Sequence, residues 1–365
     1  RVAGCLGRAV WRPATALLDM SRNDFKARAS AIDPRAREHP ELGFVFGDGS
    51  TVTGGEGGTR VSGDPPDMQH AAVDTAAPSR GELVIWLSNP EEPRRELFDR
   101  VTAYGCHIIK VHYANHWFGL IPAEVRNDGV SLGQIRLEAA TGTDCGCPLV
   151  DIPQPDGMAE RARQFVLWLT RHHPEGNWSQ FLTADRSALR WTDCVTLAGS
   201  SHGSTTAARF ATHTEVARVC LFCGPNARGQ EIGPTNFHSA TPSERFFVFS
   251  HTLDNTWPER EYPQVPKSWA MLGLEEYGGL VNVDMAEAPY GGSRMLITSC
   301  DVSSGTDTPA MVGHCAVVPG HREIRGATGF VDPVKRDEYM FEDCWRYMFT
   351  YPTSSTTRHA LAAKL

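Results

Sequence analysis

A chain of 365 residues is long enough to bury the core of one large domain or two modest ones, and its 41% hydrophobic content is ordinary for a folded protein. The net charge of -8 argues against a nucleic-acid binder, which would carry a basic stripe, and no apolar run reaches the length of a membrane-spanning segment.

Residues 1–80 show little periodicity, and glycines crowd residues 47–58, which is loop or linker composition with one short strand expected at Leu42–Phe46. Gly81–Ser88 (GELVIWLS) is a continuous apolar run, as expected of a strand buried on both faces. Glu96–Tyr104 reads as a helix and Cys106–Tyr113 as the next strand, followed by a long irregular section. Met158–His172 is helical, with Met158, Ala162, Phe165, Val166 and Leu169 on one face. Beyond it come a strand at Cys194–Ala198, a helix at Ser204–His213 and a strand at Val216–Cys223. Strands at Arg245–Ser250 and Arg294–Ser299 and a helix over Asp337–Phe349 complete the series. Strands alternating with helices predict an α/β fold: a mainly parallel central sheet with helices on both faces. The expected division is a loop-rich N-terminal extension (1–80), a catalytic domain (81–350) and a polar C-terminal tail (351–365).

Of the ten cysteines, Cys106, Cys194, Cys220, Cys223 and Cys300 stand in apolar runs and read as small buried hydrophobes. Cys220 and Cys223 form the pattern CxxC, but no second pair stands at zinc spacing, so no metal site is expected. Cys145 and Cys147 lie in a loop and are candidates for disulfides in a secreted protein. Val2-Ala3-Gly4-Cys5 resembles a lipoprotein cleavage box without the apolar segment that should precede it, and Ala363-Lys364-Leu365 resembles a peroxisomal address. Neither settles localisation: a secreted or periplasmic place is preferred, with a peroxisomal or cytoplasmic one kept open.

Chemistry concentrates at Gly199-Ser200-Ser201-His202-Gly203. A serine hydroxyl is a weak nucleophile and needs a base beside it and donors for the oxyanion. The G-x-S-x-G turn presents serine on a tight strand-to-helix bend, and small flanking residues let the backbone pass closely. Here an apolar strand precedes it and Ser204-Thr205-Thr206-Ala207-Ala208 opens a helix, so Ser201 is the expected nucleophile and the His202 N–H one oxyanion donor.

Hydrolases built on this turn carry an acid and then a histidine downstream of the serine. Asp254 follows the strand Arg245–Ser250 and is the first choice of acid, with Asp284 and Asp301 as competitors. Among fourteen histidines, only His314, His321 and His359 follow Asp254, and His314 in a loop before the final helix is preferred to His321. A second oxyanion donor should come from the loop after Gly81–Ser88, where Ser88 and Asn89 have N–H groups and Pro90 has none. Trp117, Phe118, Trp257 and Tyr290 are candidates to line an acyl pocket, although such aromatics are more often core.

Leu83–Pro93, Arg136–Asp151, Met158–Leu169, Trp191–Ala208, Trp269–Leu274, Pro289–Leu296 and Trp345–Met348 together resemble the bacterial α/β-hydrolases that are similar to secreted esterases. The resemblance covers roughly residues 80–350. It implies the α/β-hydrolase fold, a Ser-Asp-His triad carried here onto Ser201, Asp254 and His314, a small-molecule ester substrate and no metal or organic cofactor. The chain departs from the family in having Ser200 where many members have histidine, and Asn89-Pro90 where glycines are usual. The function expected is hydrolysis of a carboxylic ester through an acyl-enzyme. The alternatives are a non-catalytic binding protein on the same scaffold and an acyltransferase using the same triad; oligomeric state is left open.

Overall fold

In the computed structural model, which describes residues 22–38, 67–87, 95–115, 117–118, 121–234, 237–254, 265–300, 309–319 and 340–353, one sheet runs through the molecule. Its strands among the described residues are β1 (Arg22–Arg28), β2 (Met68–Asp74), β3 (Leu83–Leu87), β4 (His107–Lys110) and β5 (Val195–Ser200). They continue with β6 (Arg218–Phe222), β7 (Phe246–His251), β8 (Val281–Asn282) and β9 (Met295–Thr298). The spatial order is β1-β2-β4-β3-β5-β6-β7-β9-β8. β1 pairs with β2 and β2 with β4 antiparallel; all remaining neighbours are parallel.

The central strands read as continuous apolar runs because each face of the sheet is covered. Successive side chains point to opposite faces, and the packing separates them accordingly. Leu83, Ile85 and Leu87 of β3 join one core with Leu197, Val219, Leu221 and Val248. Val84 and Trp86 join the other with Ala198, Cys220, Phe222, Phe247 and Phe249. The helices Gly129–Thr141, Met158–His172 and His202–His213 cover the first face, and Arg95–Ala103 and Glu342–Thr350 cover the second. Each fully buried Leu, Ile, Val or Phe contributes roughly 1.5–3 kcal/mol, so double-sided coverage drives this architecture.

Two features depart from the expectation. β1 and β2 lie inside the stretch read as a loop-rich extension, so the sheet begins well before residue 81. β1 is an edge strand whose Asp24 and Lys26 are exposed, and only Phe25 and Ala27 supply an apolar face, too little for a period of two to stand out. The helix Gly129–Thr141 lies in the section expected to be irregular. It is buried on nearly all sides, including Gly133, Arg136 and Glu138, so it carries no apolar stripe. Its ends do follow the rules: the Asp128 carboxylate accepts from the Val130 and Ser131 amides, and Gly142 closes it in the left-handed region at φ 68°. The expected strand at Leu42–Phe46 lies outside the described residues.

Parallel pairing sets the carboxyl ends of β5, β6 and β7 side by side: Ser200 stands opposite Phe222, and Phe222 opposite Phe249. In open α/β sheets this edge is where ligands and reactive groups gather.

Candidate active site

Ser201 is the single residue between β5 and the helix His202–His213, with φ 51° and ψ -119°. A non-glycine residue held there costs about 1–3 kcal/mol, so its surroundings must fix it. The Ser201 N–H donates to the Phe222 carbonyl at 3.0 Å, which ties the turn to β6. The Ser201 carbonyl accepts from the Ser204 hydroxyl at 2.6 Å and from the Thr205 amide at 3.2 Å. Gly199 has to be glycine for a reason of space: a Cβ there would stand 2.7 Å from the Gly203 carbonyl and 2.7 Å from the Leu87 oxygen. The bend is thus closed by close backbone approach on one side and hydrogen bonds on the other.

The expected acid lies three residues beyond β7. Asp254 is fully buried, and its N–H donates to the His251 carbonyl at 3.0 Å. His251 shapes this turn with its ring as well. Its Nε2–H donates to the Cys300 carbonyl at 3.0 Å, and its Nδ1 accepts from the Leu253 amide at 2.9 Å.

The histidine comes from the helix Pro309–Ala316, where a loop was expected. The His314 Nδ1–H donates to Asp254 Oδ2 at 2.8 Å, and Nε2 accepts from the Ser201 hydroxyl at 2.8 Å. In the neutral ring, a carboxylate acceptor beside Nδ1 keeps the proton there and leaves Nε2 as the acceptor facing serine. Gly313 lets the helix lie against the Asp254 turn: a Cβ there would stand 2.9 Å from Leu253 Cβ and 3.2 Å from the Asp254 nitrogen.

Burial disfavours the charged form of His314 and is the largest influence on it. Against burial act the charge and hydrogen bond of the neighbouring Cys223 sulfur, then those of Asp254, and together they prevail. The ring is therefore held well above the usual histidine range. Cys223 itself follows β6 in the left-handed region at φ 43°, its N–H donating to the Phe249 carbonyl at 2.9 Å.

The competing acid Asp284 is otherwise engaged: it accepts from the Thr298 hydroxyl at 2.6 Å and the Ser299 amide at 2.7 Å, away from Ser201. Asp301, His321, His359, Trp257 and the loop residues Ser88, Asn89 and Pro90 lie outside the described residues. β3 nevertheless ends beside the turn, with Leu87 paired to Gly199. His202 opens the helix, its ring edge-on to Trp117 at 4.9 Å and to Phe118 at 6.0 Å. Tyr290 packs instead against Tyr347 in the core on the other face. Among the described residues, no group of three or more His, Cys, Asp or Glu side chains is placed to hold a metal ion.

Sequence reasoning missed three supports of this site: His251, Gly313, and the buried pair Arg136–Glu231 behind His202. Only the spacing of His251 three residues before Asp254 hinted at a role. The other two depend on contacts between distant segments.

No family model and no curated protein matches the sequence. Among solved structures, the chain is similar to a phosphonate-inhibited esterase B from Lactobacillus rhamnosis, with 11% identity and a TM-score of 0.31 over 60% of this chain and 69% of that one. It is similar also to an α/β serine hydrolase homologue from Coxiella burnetii, with 14% identity and a TM-score of 0.30 over 68% and 89% of the two chains. A lidless α/β serine hydrolase from Xanthomonas campestris gives 11% identity and a TM-score of 0.29 over 70% and 88%. By its own strand order, its covering helices and the turn that follows β5, the chain has the α/β-hydrolase fold.

Proposed function

We propose that this protein is a serine hydrolase acting on carboxylic esters, with Ser201 as nucleophile, His314 as general base and acid, and Asp254 as the group that orients and stabilises the imidazolium. The observation that carries this reading is the chain of two hydrogen bonds, each 2.8 Å, from the Ser201 hydroxyl through His314 to the buried Asp254.

In the proposed reaction the Ser201 oxygen attacks the ester carbonyl while His314 Nε2 takes its proton. The resulting oxyanion is bound by the His202 N–H, in the first helical turn, and by the Asn89 N–H of the loop that leaves β3 beside Gly199. Collapse breaks the bond to the alcohol, which leaves with the proton from His314. Water then attacks the acyl-serine, again with His314 as base, and releases the acid. The held turn at Ser201 supports this reading, because a nucleophile fixed before substrate arrives needs no reorganisation at the moment of attack. The reaction as proposed requires neither metal nor organic cofactor, and its substrate is a small ester.

Turnover of short p-nitrophenyl esters tests the reading. Ser201→Ala should lower kcat by about 10⁴-fold or more while leaving the far-UV spectrum and thermal midpoint close to the parent's. A fluorophosphonate should label Ser201 and no other serine. Unchanged turnover in Ser201→Ala would refute the assignment.

A further inference from the structure

Behind the turn lies a charged pair that the reaction above does not use. Arg136 is 3% exposed and Glu231 1%, with Arg136 Nε donating to Glu231 Oε1 at 2.5 Å. A buried ion pair is a poor device for stability, because desolvation consumes most of its attraction. What this pair holds is the residue after Ser201. Arg136 Nη1 donates to the His202 carbonyl at 3.1 Å and to the Thr206 hydroxyl oxygen at 2.8 Å, and that hydroxyl donates to the same carbonyl at 3.2 Å. The same nitrogen stands 3.4 Å from His202 Nδ1 and 3.3 Å from Nε2. An in-plane hydrogen bond reaches one ring nitrogen and leaves the other far away, so near-equal distances place the guanidinium over the face of the imidazole. Trp117 packs edge-on to that ring, and the guanidinium also lies 5.1 Å from the Trp117 centroid.

We infer that Arg136, anchored by Glu231, is a positioning residue that aims the His202 N–H at the developing oxyanion. This rests on the function proposed above. The Ser201–His202 peptide is held at its carbonyl by Ser204 and Thr205, and the tilt of its plane is set at the other end by the position of His202 Cα. Arg136 fixes that end by its grip on both the carbonyl and the ring of His202. First-turn amides lack a carbonyl partner four residues back, so their direction depends on such external holds. A misplacement of about 1 Å at a reacting centre costs on the order of 100-fold in rate.

The test uses the full chain and compares Arg136→Lys with the double variant Arg136→Met/Glu231→Gln, which leaves no unpaired buried charge and so should fold. In the double variant kcat for a p-nitrophenyl ester should fall about 10- to 100-fold with KM within about two-fold of the parent and the thermal midpoint retained. Arg136→Lys, which keeps the charge and a donor, should restore part of the loss. Parental kcat in the folded double variant, or a loss confined to KM, overturns the inference while leaving the hydrolase reading intact. Failure of a fluorophosphonate to label Ser201 in the parent overturns both, and is told apart by being seen before any Arg136 variant is made.

Discussion

His107 should make the fold lose stability in acid, by an amount that follows from its surroundings. It opens β4, is 3% exposed, and donates from Nε2 to the Gly176 carbonyl at 2.7 Å. Trp178 and Phe181 stand edge-on to the ring at 4.7 and 4.8 Å, and Nδ1 is buried with no hydrogen-bond partner among the described residues. A proton on Nδ1 would bring an unsolvated charge into this aromatic box, so burial pushes the pKa down from 6.5 to about 4. Between those values the unfolded chain binds a proton that the folded chain refuses. Stability is therefore complete above pH 6.5 and falls as pH drops, by about 1.4 kcal/mol per unit until the folded value is reached. At pH 5 the loss is about 2 kcal/mol. Urea unfolding followed by tryptophan fluorescence at pH 8 and pH 5 measures it. His107→Gln keeps a donor for Gly176 but cannot titrate, so its loss between the two pH values should be smaller than the parent's by that amount. His173, also pushed down by burial, acts with the same sign and remains in both proteins. Equal losses in parent and variant would refute the reasoning.

Two further outcomes concern the site itself. Because His314 is held above 6.5, the acid limb of kcat/KM for ester turnover should lie above pH 6.5, and Asp254→Asn should move that limb to lower pH while cutting the rate; a parental limb below 6.5 contradicts this. Gly313→Ala should cost turnover about 10-fold without raising the thermal midpoint. Helix propensity alone favours alanine by about 1 kcal/mol, but its Cβ would press on Leu253 and the Asp254 backbone; a stabilised variant with full turnover removes that contact from the account.

What could be read from the sequence was whatever local pattern carries. Met158–His172 appeared at its expected bounds because its apolar residues repeat on one face and its last turn is basic. The strands β3, β5, β6 and β7 were readable as apolar runs because both their faces are covered. The turn at Ser201 announced itself by Gly199, whose absence of a side chain is demanded by backbone contact. β1, by contrast, has one thin apolar face at a sheet edge, and Gly129–Thr141 buries charged and small residues together, so neither shows its period. His314 looked like a loop residue because the helix that carries it is short and, His314 apart, apolar, PAMVGHCA, without a polar face to mark its turns.

The partners of Ser201 posed a harder problem than the turn. His314 is 113 residues from Ser201 and 60 from Asp254, so only chain order pointed to it. Residue type could not separate it from His107, since burial works to neutralise both rings. The difference lies in what the second nitrogen meets. In His107 one nitrogen faces a carbonyl and the other a dry aromatic wall, so the proton is refused and the ring is a structural donor of fixed charge. In His314 one nitrogen faces a buried carboxylate and the other a hydroxyl, and gaining a proton is favoured, as the proposed role of base to serine requires. The stability linkage reverses with it: what His314 contributes is present below pH 6.5 and is lost as pH rises through its raised folded value. The form of His314 that can act as a base is thus populated only where its protonated form no longer supports the fold. That opposition is expected of a group whose environment stabilises the imidazolium of the proposed reaction, and a resting structural histidine such as His107 has no cause to show it.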